Sequence, residues 1–64
     1  MMIQTTQYIY IIELKIDRTA HEALQQIEDK QYAKPFEKED RMIYKIGVNF
    51  SIATRRIESW EINR

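Results

Sequence analysis

Residues 8–16, Tyr-Ile-Tyr-Ile-Ile-Glu-Leu-Lys-Ile, place the tightest constraint on what this chain can fold into. Nine β-branched, aromatic and other apolar-rich residues without Gly or Pro predict a strand. Apolar residues at both parities predict a central strand with both faces covered. Alternation puts Ile9, Ile11, Glu13 and Lys15 on one face, and Tyr8, Tyr10, Ile12, Leu14 and Ile16 on the other. A carboxylate and an ammonium therefore stand side by side near the end of a greasy element. They read either as surface charges where the strand reaches solvent or as a metal and nucleophile site.

Ahead of this strand, Met1, Met2 and Ile3 have the composition of a strand interior, and the polar break Gln4–Gln7 allows a hairpin without an Asn-Gly or Asp-Gly signal. The chain starts in mid-element, as expected of a longer ancestor that has lost its beginning or of a short first strand. After it, Thr19 with Glu22 three residues on forms a capping box, opening a helix predicted over Ala20–Gln31. Ala20, Ala23, Leu24 and Ile27 make its apolar stripe. Gln26 borders that stripe, so it is either a surface amide or leans toward the sheet. His21 falls among polar neighbours in the first turn, with no second His, Cys or positioned Ser, and is assigned no chemistry.

Pro35 ends any helical continuation, and Tyr32 and Phe36 are expected to pin the following segment to the core. Glu37–Arg41 reads as a charged connector. A strand is predicted over Met42–Phe50, with Gly47 inside it marking a bulge or a close packing contact. Ser51–Thr54 makes a turn. Arg55–Ile62 reads as an edge strand with Ile57, Ser59 and Glu61 on one side and Arg56, Glu58, Trp60 and Ile62 on the other. The pattern is β-β-α-β-β, an α+β fold with one helix packed on a mixed sheet.

At 64 residues the chain is a single domain or part of one, and such a chain buries only about 60% of its unfolded surface. With no Cys and one His it has neither disulfides nor a zinc cluster to offset this, which leaves oligomerisation or a larger parent. Ten Lys and Arg balance ten Asp and Glu, so a charge-driven nucleic-acid binder is disfavoured. No apolar run approaches the roughly 20 residues that span a bilayer, and there is no signal-peptide pattern. A soluble, cytoplasmic protein without a membrane partner is expected.

Taken together, Tyr-Ile-Tyr-Ile-Ile-Glu-Leu-Lys-Ile-Asp, Ala-x-x-Ala-Leu-x-Gln-Ile, Lys-Gln-Tyr-Ala-x-Pro-Phe, Ile-Gly-Val-Asn-Phe-Ser-x-x-Thr-Arg and Ile-x-x-Trp resemble a known pattern. Over essentially its whole length the chain is similar to the C-terminal part of the PD-(D/E)xK nuclease-like domain that follows AAA-ATPase-like domains in bacterial proteins. The resemblance implies a partial restriction-endonuclease-like core spanning 1–64. It makes Glu13 and Lys15 the E-x-K pair and matches Gln26 to a glutamine on the helix beside the site. It also implies Mg2+ held by Glu13, with the Leu14 carbonyl as a further ligand, and Lys15 orienting the attacking water.

One departure bears on activity: the aspartate that completes the metal site in the family would fall just ahead of Met1, and no acid lies between Met1 and Tyr8. Asp17 lies past the strand's end and is a poor substitute. The expectation is a truncated remnant or fragment with a weak, incomplete Mg2+ site, inactive or weakly active alone. DNA and an AAA-ATPase-like domain or full-length relative are its implied partners. The alternative is a non-catalytic homodimeric association module, joined by β-augmentation along the first strand.

Overall fold

The computed structural model describes residues 1–63. Its elements are β1 (Met2–Gln4), β2 (Tyr8–Ile16), α1 (Ala20–Lys30), β3 (Met42–Ser51) and β4 (Arg56–Asn63), with a single 3-10 turn at Lys34–Phe36. The four strands form one sheet in the order β1-β2-β3-β4. β2 and β3 are parallel, with α1 as their crossover, and both outer pairs are antiparallel. This is the expected β-β-α-β-β arrangement with one helix on a mixed sheet.

The helix begins where the capping box places it. The Thr19 hydroxyl accepts the Glu22 amide at 3.0 Å, and the Glu22 carboxylate accepts the Thr19 amide at 3.4 Å. It ends one residue earlier than predicted because Gln31 adopts the left-handed conformation, with φ at 55°. Its Ala20, Ala23 and Ile27 are buried against the sheet. Ile9, Ile11, Ile27 and Ala33 form the core, with Leu24, Phe36 and Ile43 packed around it. Phe36 thus anchors the segment after the helix as expected, but Tyr32 is exposed and Ala33 takes the buried place.

Gly47 decides how closely helix and sheet approach. A Cβ there would stand 2.8 Å from the Leu24 backbone nitrogen and 3.1 Å from the Ala23 methyl, and closer still to the Ala20 carbonyl oxygen. Only a residue without a side chain lets α1 lie directly on β3. The chain's bulge lies in β4 instead: Asn49 pairs with Ser59 and Phe50 with Ile57, leaving Glu58 as the extra residue. Ile57 therefore shares a face with Trp60 and Ile62, not with Ser59 and Glu61 as strict alternation predicted.

The expectation that both faces of β2 are covered is corrected. α1 covers the face carrying Ile9, Ile11, Glu13 and Lys15, where Ile11 is 2% exposed. The opposite face carries no helix among the described residues, and Leu14 is 51% exposed there. A continuous apolar strand records that both sides avoid water, but not that this chain itself supplies both layers.

Candidate active site

Glu13 and Lys15 project from the C-terminal half of β2 on the helix-covered side, both half-buried. Two geometric facts bring α1 to them. Opposite Glu13 in the parallel ladder stands Gly47, which lets the helix settle onto β3. The helical repeat then directs Gln26, at the border of the apolar stripe, across to β2. Gln26 Nε2 donates to Glu13 Oε1 at 2.5 Å, so the amide leans toward the sheet and fixes one carboxylate oxygen. Lys15, Gln26, Arg18 and Glu22 line a shallow cleft between the end of β2 and the start of α1. Lys15 makes no ion pair among the described residues.

The Leu14 side chain faces away from the helix, but its backbone does not share that fate. The Ile12 carbonyl accepts the Met1 nitrogen at 2.7 Å, on the β1 side of β2. Carbonyls two residues apart on a strand point the same way, so the Leu14 carbonyl lies along the same edge, beyond the β1 pairing. Glu13 and the Leu14 carbonyl are hard oxygen donors of the kind magnesium takes, but they are only two of its roughly six ligands. Among the described residues no three His, Cys, Asp or Glu side chains come together as a metal cluster. The donor set fits magnesium in kind and falls short in number.

Asp17 lies outside this set. Its amide donates to the Phe50 carbonyl at 2.8 Å, and its carboxylate accepts the Ile52 amide at 3.2 Å, which ties the end of β2 to the turn between β3 and β4. Two neighbours of the site went unrecognised in the sequence. Gly47 was legible as a close-packing position, but its place opposite Glu13 depends on the β2–β3 register. Asn49 pairs with Lys15 in the same ladder, and its Oδ1 is buried without a hydrogen-bond partner among the described residues. An Asn in an apolar strand was the available signal, and the identity of its neighbour was not.

No curated protein and no solved structure matches the chain. A family model does, over residues 1–60, and it describes the PD-(D/E)XK nuclease superfamily. A match of that extent, on a chain whose mixed sheet carries Glu13 and Lys15 beneath a helix bearing Gln26, shows that the chain belongs to the PD-(D/E)XK nuclease superfamily.

Proposed function

We propose that the chain carries one half of a nuclease centre, with Glu13, Lys15 and Gln26 as its working residues, and that it is inactive or weakly active alone. The observation that carries this reading is the hydrogen bond from Gln26 to Glu13, which holds the acid of an E-x-K pair from the covering helix. Glu13 and the Leu14 carbonyl would hold magnesium, which when bound supplies positive charge and an ordered water for attack on a phosphodiester. Gln26 acts on Glu13, fixing the direction in which its second oxygen is presented. Lys15 offsets phosphate charge and orients the water.

Lys15 also opposes a cation at Glu13, and with a single carboxylate the balance gives weak affinity. A second acid is therefore required from a completing segment, in a full-length relative or an AAA-ATPase-like companion domain. We place the protein in the cytoplasm; no helix among the described residues is long and apolar enough to cross a membrane.

The test uses two readouts on the 64-residue chain. Manganese, as a paramagnetic stand-in for magnesium, is expected to broaden the amide NMR signals of residues 13–15 first, and to lose that preference in Glu13→Gln. Cleavage of single- and double-stranded DNA with magnesium is expected at or near background. Broadening centred elsewhere overturns the metal assignment. Robust cleavage abolished by Glu13→Ala overturns the incompleteness of the centre while keeping its location.

A further inference from the structure

We infer that the open face of the sheet is an interface with a second copy of this chain, the two sheets packing face to face about a twofold axis. This inference stands apart from the nuclease reading, because the face lies on the opposite side of the sheet from Glu13 and Lys15.

The face is assembled from the even-numbered residues of β2 and β3, joined by Ile57, Trp60 and Ile62 of β4 and by Met1 and Ile3 at the β1 edge. Every one of these residues is apolar or aromatic, and none is charged. Trp60, opposite Val48 in the ladder, is 64% exposed. At one end Tyr8, Tyr10 and Tyr44 form an aromatic cluster, with the Tyr10 and Tyr44 rings stacked at 5.6 Å. Leu14, Ile16, Ile57, Trp60 and Ile62 are each more than half exposed on it, a contiguous apolar patch of the kind that marks an interaction site.

Extent and charge select the occupant. The four strands hold 30 residues, which at about 3.3 Å along a strand and about 4.8 Å between strands outline a face on the order of 500 Å2, the extent of a small, reversible interface and under the roughly 800 Å2 per partner of a standard one. A single helix, about 10 Å across, covers only about half of the roughly 19 Å that four strands span. A second sheet of the same dimensions covers all four strands, at the roughly 10 Å spacing and 30° offset of aligned sheet packing. Among the described residues the face carries no Lys or Arg, which disfavours a polyanion or an anionic lipid surface, whereas an uncharged face is complementary to itself. A twofold arrangement closes after two copies and leaves the Glu13 side of each free. The predicted route to a dimer along the β1 edge offers only a three-residue strand.

Trp60 is the sole tryptophan, so its fluorescence reports directly on this face. Sedimentation velocity over a dilution series of the chain is expected to show a dimer of twice 7.8 kDa at tens of micromolar, with Trp60 emission shifting to longer wavelength as the dimer dissociates. Trp60→Lys is expected to weaken association by roughly thirtyfold or more while preserving the far-ultraviolet circular dichroism. Leu14→Lys, on the middle of β2, is expected to do the same. A monomer with unchanging, water-exposed Trp60 emission at tens of micromolar overturns the inference. So does a dimer whose affinity survives both folded variants, which assigns the contact to a strand edge, or a monomer that binds neutral lipid vesicles with a shift in Trp60 emission.

Discussion

Gln26 and Glu13 show how much one hydrogen bond asks of its surroundings. The amide sits on a helix and the acid on a strand, 13 residues apart in sequence, and they meet at 2.5 Å because the helix axis lies close to the sheet. Both groups are half-buried, so the bond is sheltered without being sealed from water. Gln26→Ala is expected to cost about 1 kcal/mol, read from the urea midpoint, because it leaves the carboxylate short of a donor that water only partly replaces. Gln26→Glu, which sets two carboxylates at that distance, is expected to cost more at neutral pH than Gln26→Ala. Gln26 was legible in the sequence as a residue bordering the apolar stripe, and its alternatives were a surface amide or a contact with the sheet. Spacing along the helix left that choice open because it does not say which strand the stripe's border overlies. Asn49 beside Lys15 was hidden for a related reason, since strand neighbours are set by register.

Helix α1 is specified at both ends by local chemistry: the reciprocal contacts of Thr19 and Glu22 at the start and the left-handed Gln31 at the finish. Those signals act within a few residues, which is why the helix and its capping box could be read from sequence to within a residue. The depth at which α1 sits is a tertiary matter and rests on Gly47. Gly47→Ala brings a methyl against helix backbone atoms, not flexible side-chain ends, so the whole element must lift. A loss of about 1–3 kcal/mol is expected in chemical denaturation. Weaker protection of the Leu24 to Ile27 amides in hydrogen exchange is expected with it. The Lys45–Glu28 ion pair at 2.5 Å anchors the other end of the helix to β3, but with Glu28 half exposed it contributes no more than about 1 kcal/mol. Strand β4 was the least legible element. Its alternation of Ile57, Ser59 and Glu61 fits a period of two, and only the pairing with Asn49 and Phe50 reveals Glu58 as surplus.

As a whole the molecule has two layers where the composition of β2 implies three. α1 buries one side of the sheet, and no second helix lies over the other among the described residues. The order of elements and the mixed sheet were readable because capping, proline and strand composition act locally. The bare face was not, since a strand pattern is identical whether its cover comes from the same chain or from another. The arrangement separates two surfaces: a polar one carrying Glu13, Lys15 and Gln26, and an apolar one on the reverse side. Changes confined to the reverse side are accordingly expected to act on association first and on the Glu13–Gln26 contact little.

The surplus residue in β4 makes deletions there unequal. Losing a codon within a strand ordinarily throws every downstream side chain out of phase, turning greasy positions toward the helix and polar ones away. Position 58 is the exception: Ile57 already pairs with Phe50 and Ser59 with Asn49, so excising Glu58 joins two residues that are in step. A Glu58 deletion is expected to fold and sediment like the parent chain, with loss only of the Thr54–Glu58 hydrogen bond at the turn, whereas a Trp60 deletion, taken up by the same surplus residue, sets Ser59 opposite Val48 and is expected to abolish association. The strand thus holds one removable frame-keeping residue, and the evenness of the reverse surface depends on its being looped out of register.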